Sequence, residues 1–133
     1  MKYLGIDYGL KRIGVASSEG ILAKPVCVIQ NKGDKKNLAA IHNILGTSSN
    51  EPPQIVLGVP LGANGEDTQM SLEIRRFGDF LSAELGTSVI YHNERYSSLE
   101  AEHYIRTRKT KELVDAVAAA VILQSYIDGG KNG

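Results

Sequence analysis

Apolar residues gather in five short stretches along the chain, and between them they recur at helical spacing. Leu4-Gly5-Ile6-Asp7-Tyr8-Gly9 reads as a short buried strand that carries a single acid at its end. Gly5 and Gly9 remove side chains on either side of that acid, so another part of the molecule can approach the backbone closely. Lys11-Arg12-Ile13-Gly14-Val15-Ala16 reads as its hairpin partner, with the turn at Gly9-Leu10-Lys11. After a turn at Ser17–Gly20, Ile21 to Gln30 predicts a third strand, with Pro25 at an edge or a bulge.

A helix follows from the spacing of Leu38, Ile41, Ile44 and Leu45, and the loop Gly46 to Pro53 ends it. Gln54-Ile55-Val56-Leu57-Gly58-Val59-Pro60 is continuously apolar, the pattern of a parallel strand covered on both faces. A glycine-bearing loop, Leu61 to Asp67, leads into a helix from about Thr68 to Leu85, whose Gly78 implies close packing. Ser88 to His92 predicts a fifth strand, with Asn93-Glu94-Arg95 at its carboxyl end. Ser97-Ser98-Leu99-Glu100 has the form of a capping box opening another helix. The basic stretch Arg106 to Lys111 links it to a last helix, Glu112 to Tyr126, with the tail 128–133 expected to be disordered.

Three strands, a helix, a strand, a helix, a strand and further helices define an antiparallel meander followed by crossover units. The expected fold is α/β: a mixed five-stranded sheet with helices on both faces, the ribonuclease H-like arrangement, in one domain over residues 1–133. Ligands of open α/β sheets sit beyond the carboxyl ends of the central strands, where Asp7 and Glu94 both fall.

Composition narrows the function. Fifteen basic and fifteen acidic residues give a formal charge of zero, which excludes coating of nucleic acid by net charge but leaves room for a local patch. A single cysteine, Cys27 in an apolar run, permits no intrachain disulfide and no CxxC metal site. With no signal-peptide core and no bilayer-length apolar run, the expected location is the cytoplasm.

The third acid is Asp115, at the start of a helix whose Val114-Asp115-Ala116-Val117-Ala118-Ala119 is apolar on nearly every face. Two readings stand side by side. Asp7 and Asp115 each serve as a local cap, one for a turn and one for a helix dipole. Alternatively, three acids on regular elements converge to hold a hard cation, for which Mg²⁺ or Mn²⁺ is suited. His42, His92 and His103 lack metal-ligand spacing and read as packing or surface residues.

The blocks Leu4 to Ala16, Val56-Leu57-Gly58-Val59-Pro60 with Gly65, Asn93-Glu94-Arg95 and Val114 to Ala119 resemble the YqgF family, in order and spacing, from about Lys2 to Tyr126. That family is assigned to nucleases that mature the 5′ end of pre-16S ribosomal RNA and is described as Holliday junction resolvase-like. The resemblance implies a ribonuclease H-like fold, a divalent-metal active site and a role in ribosome biogenesis. It places the catalytic and metal-binding acids at Asp7, Glu94 and Asp115. Two departures stand out. Asn93 replaces the acid the family usually carries there, and Glu112 alone holds the spacing of the fourth acid of related junction resolvases.

Sites of this type hydrolyse phosphodiesters with two metals about 3.5–4 Å apart and no side-chain nucleophile. Lys11, Arg12 and Arg95 are the expected contacts to phosphate, with an ion pair to the nearby acids as the alternative role. The basic run Arg106 to Lys111 is suited to a nucleic-acid backbone or to an ordinary solvated turn. The expected partner is pre-ribosomal RNA. The alternatives are a nuclease on branched DNA and a non-catalytic nucleic-acid-binding domain. A homodimer would suit a small domain that holds a large RNA, although no apolar surface stripe marks an interface.

Overall fold

The computed structural model describes residues 1–46, 51–94 and 114–129. Its elements run β1 (Tyr3–Tyr8), β2 (Arg12–Ser18), β3 (Ala23–Gln30), α1 (Asp34–Leu45), β4 (Gln54–Val59), α2 (Gln69–Leu85), β5 (Val89–Asn93) and α3 (Val114–Asp128). The five strands form one sheet in the order β3-β2-β1-β4-β5. The β1–β2 and β2–β3 pairs are antiparallel, and β1–β4 and β4–β5 are parallel. This is the mixed sheet expected from the meander and crossover pattern. The Ser97 capping box, Arg95, Arg106 to Lys111, Glu112 and His103 lie outside the described residues.

Alternation along each strand sorts the sheet into two faces. Leu4, Ile6, Tyr8, Ile13, Val15, Ile55, Leu57 and Val59 point one way and form the larger core with Ile41 of α1 and Ile74, Phe77 and Leu81 of α2. Ala16 and Val56 point the other way, against Ala119, Ala120, Ile122, Leu123 and Ile127 of α3. Helices therefore cover both faces. The side chain of Thr68 caps α2 by accepting from the Ser71 backbone N–H, and Ser71 reciprocates, so the helix proper begins at Gln69. Gly78 is close-packed as expected, since a Cβ there would lie 2.7 Å from the Tyr91 ring and 2.8 Å from Leu57.

The third strand and the last helix are bounded differently from the sequence reading. The third strand starts at Ala23 because Ile21 and Ala23 give their backbone groups to Gln124 of α3. The Ala23 N–H donates to Gln124 Oε1 at 2.8 Å, and Gln124 Nε2 donates to the Ile21 carbonyl at 3.0 Å. Ile21 and Leu22 are left exposed in the turn. The expected bulge is present, with the register shifting at Val15/Ala16 so that Ala16 meets Pro25. The last helix runs through Asp128, two residues past the expected Tyr126, and the Gly129 N–H closes it on the Ser125 carbonyl at 3.1 Å. Residues 130–133 lie outside the described residues. Among the described residues, no helix is long and apolar enough to cross a membrane.

α3 sits unusually close to the sheet because glycines clear its path on three adjacent strands. A Cβ on Gly5 would lie 2.7 Å from Leu123 Cβ. One on Gly14 would lie 1.8 Å from the Asp115 carbonyl oxygen, and one on Gly58 would lie 2.6 Å from Ile122 Cδ1. The obstructions differ in kind. At Gly14 the obstacle is backbone, which moves only if the helix moves; at Gly58 it is the tips of flexible side chains. Gly14→Ala should therefore lower the thermal midpoint by several degrees, reflecting an overpacking cost of about 1–3 kcal/mol. Gly58→Ala should cost much less, and parallel thermal melts giving equal losses would contradict this account.

Candidate active site

Tyr3, Gly5 and Asp7 alternate onto the α3 face of β1, so Asp7 emerges at the carboxyl end of the central strand under the start of that helix. Its antiparallel neighbour is Gly14. One step beyond the paired Ile6 and Leu57, its parallel neighbour is Gly58. Each of these glycines vacates space that another acid occupies. Above Gly14 runs the backbone of Asp115, in the first turn of α3. Against Gly58 lies the side chain of Glu94, whose Cγ and Oε1 are both 3.0 Å from where a Cβ would stand. Glu94 follows directly on β5, beyond the Val59–Asn93 pair. The three acids named from the sequence are thus brought to one end of the sheet around Asp7.

The electrostatics agree with the geometry. Burial, with Glu94 and then Asp115 adding repulsion, pushes the Asp7 carboxyl up to about 7. Burial also raises Glu94 above the usual carboxylate range. Among the described residues no hydrogen-bond donor reaches the Asp7 carboxylate, although buried polar groups are normally paired. A partly buried carboxylate with no donor among the described residues, beside two further carboxylates, fits the chemistry of a divalent cation.

Asp115 has a different companion. Arg12 Nε donates to Asp115 Oδ2 at 2.7 Å, across 103 residues of sequence. Arg12 thus makes an ion pair, but with the distant Asp115 rather than with the nearby Asp7 that the sequence reading set beside a phosphate contact, and over half of its side chain remains exposed. Among the described residues, no three ligating groups are gathered closely enough to hold an ion. Lys11 is exposed at the same turn. Asn93 ends β5 opposite Val59, one residue before Glu94. His92 is buried, with Nε2 2.9 Å from Ser125 Oγ, and it packs edge-on against Tyr126.

The sequence reading missed what holds the Asp7 turn from behind. Asn31 Nδ2 donates to the Gly9 carbonyl at 2.8 Å, and the Asn31 N–H donates to the Lys11 carbonyl at 3.0 Å. Asn37, fully buried in α1, donates to Asn31 Oδ1 at 2.9 Å and accepts from the Lys32 N–H at 3.2 Å. The signal was there: an amide sits four residues before Ile41 on the buried stripe of a helix. On the same side, the Tyr8 hydroxyl donates to Glu73 Oε2 at 2.7 Å, and Arg76 ties Glu73 to Asp34.

A ribonuclease H-like sheet with acids collected at the carboxyl ends of its central strands defines the nuclease class of this fold. Comparison with known proteins narrows the class. The family model described as RuvX, Holliday junction resolvase, matches residues 1–129. A protein of Burkholderia ambifaria named "Putative pre-16S rRNA nuclease" is 38% identical over 132 residues, covering 94% of this chain and 87% of its own. One of Syntrophomonas wolfei with the same name is 38% identical over 140 residues, covering 100% and 98%. The chain belongs to this family. Among solved structures, RuvC of Thermus thermophilus superposes with a TM-score of 0.58 at 17% identity, covering 98% of this chain and 97% of that one. The same protein in complex with a Holliday junction gives 0.58 at 15% identity, covering 96% and 95%. These two likenesses establish the ribonuclease H-like fold.

The raised Asp7 carboxyl sets a sign for stability. The folded chain holds that proton more tightly than the unfolded chain, so the metal-free protein loses stability as pH rises from about 4 to about 7. Asp7→Asn removes the loss. Without divalent ions, the variant should melt higher than the parent by several degrees at pH 8 and by much less at pH 4.5. Thermal melts showing the same difference at both values would contradict the charge account.

Proposed function

We propose that this chain hydrolyses phosphodiester bonds in nucleic acid with a divalent ion, Mg²⁺ or Mn²⁺, held by Asp7, Glu94 and Asp115, and that its substrate is the 5′ end of pre-16S ribosomal RNA. One observation carries the reading. Asp7 stands between two glycines whose vacated space is filled by the Asp115 backbone and the Glu94 side chain, so its charge, already disfavoured by burial, is raised further by both acids. Local caps have no reason to be built that way; a cation site does. The alternative of independent caps is also disfavoured at Asp7 itself, whose carboxylate meets no donor among the described residues.

When bound, the ion supplies an activated water and a counter-charge for the leaving oxygen. The chain's own part is positioning. β1 fixes Asp7 at the centre and holds it rigidly, because the turn after it is clamped by Asn31 and Asn37. Glu94 and Asp115 approach from either side over Gly58 and Gly14. Arg12, exposed at the rim, is placed to meet a phosphate, and Lys11 adds a second cation on the same turn. Asn93, next to Glu94, contributes a neutral amide where an acid would add a further negative charge beside the site.

The substrate assignment rests on the names of the two relatives, and the family model's own description favours a second reading, cleavage of branched DNA. Both substrates are polyanions, and a chain of zero net charge would engage either through a local cationic rim.

The purified protein should cleave a pre-16S ribosomal RNA fragment in the presence of Mn²⁺ and fail to do so in EDTA. Asp7→Asn and Asp115→Asn should each reduce the rate by more than the roughly 10–100-fold that loss of an outer-shell partner costs. Near-parental cleavage by either variant would remove the site. Cutting of a four-way DNA junction, with the RNA left intact, would replace the RNA reading by the branched-DNA one.

A further inference from the structure

Arg12 and Asp115 are joined by a short, well-directed bond, yet each has a second claim on it. Asp115 is one of the three acids around Asp7, and Arg12 is the exposed cation at the rim of the same site. A carboxylate oxygen that accepts from a guanidinium is less available to an ion, and a guanidinium committed through Nε is less available to a phosphate. The acids are near enough to one another to repel, while no three of the described ligating groups close on a single point. Resting on the nuclease reading above, we infer that Arg12 is an exchangeable partner of Asp115: it competes with the metal ion for that carboxylate, and ion binding releases it to hold the substrate phosphate.

The exchange is cheap enough to work. Arg12 is more than half exposed, and ion pairs of that kind are weak in water, so a divalent cation at Asp115 would displace the guanidinium readily. The turn that carries Arg12 does not move with it. The Gly9 N–H donates to the Arg12 carbonyl at 2.9 Å, and the Asn31 side chain holds the Gly9 carbonyl. Only the side chain needs to swing. Because coupling is reciprocal, an ion that frees Arg12 strengthens nucleic-acid binding by the same factor that nucleic acid strengthens ion binding.

The test uses the full chain and titration calorimetry with Mn²⁺ alone. Arg12→Gln should bind Mn²⁺ about two- to fivefold more tightly than the parent, matching the loss of an exposed ion pair. Lys11→Gln removes the same charge from the same turn without a bond to Asp115, and should change the affinity much less. A short RNA oligonucleotide followed by fluorescence anisotropy, with Ca²⁺ as the divalent ion, should bind the parent more tightly when the ion is added. In Arg12→Gln that gain should shrink. Weaker Mn²⁺ binding by Arg12→Gln would show that Arg12 supports Asp115 as a ligand, and equal tightening by both variants would reduce the effect to bulk charge; either result overturns the exchange while leaving the nuclease reading in place. A parent that binds no Mn²⁺ would overturn both.

Discussion

The molecule is organised by how near one helix can come to one sheet. The side chains between them normally set how far a helix stands from the strands it covers. Here Gly5, Gly14 and Gly58 strip the sheet face beneath α3, and Ala116, Ala119 and Ala120 keep the helix side slim. The result brings the Asp115 backbone directly over β2, next to the acid on β1. The same clearing lets Glu94 lie across β4. Close packing and the collection of charge are therefore a single construction.

That construction holds a conflict. Burial makes the charged form of Asp7 unfavourable, and Glu94 and Asp115 at the same sheet end add repulsion to it. The larger core on the opposite face, built on Ile6, Leu57, Phe77 and Leu81, carries the stability that makes the conflict tolerable. The polar ties behind the site, Asn37 to Asn31 to Gly9 and Arg76 to Glu73 to Tyr8, fix both ends of the Asp7 turn region. The partly buried acid is thereby framed by hydrogen bonds and ion pairs from α1, α2 and the end of β3.

The architecture was legible because its strands are near-continuous apolar runs and its crossovers are long. Gln54 to Pro60 has the continuous apolar pattern of a covered parallel strand, and Leu4 to Gly9 that of a short buried one; that the two are neighbours came from the structure. The acids were legible as candidates because Asp7, Glu94 and Asp115 each occupy the end of a regular element. Local signals ran out at partner choice. Nothing near Arg12 announces that its bond goes to Asp115, 103 residues away. Gly5 was read as a place of close approach, but not that α3 makes it; Gly9 instead lies against the Arg12 carbonyl of its own turn. Ile21 and Leu22 looked like strand because they are apolar, and lost that role to the Gln124 side chain.

The central claim is that the three acids form one cation site. It is tested most directly by diffraction from Mn²⁺-soaked crystals at the manganese absorption edge. The account predicts an anomalous peak bounded by carboxylate oxygens of Asp7, Glu94 and Asp115. Crystals fully exposed to the ion that show no peak there, or a peak confined to other acids, would contradict it.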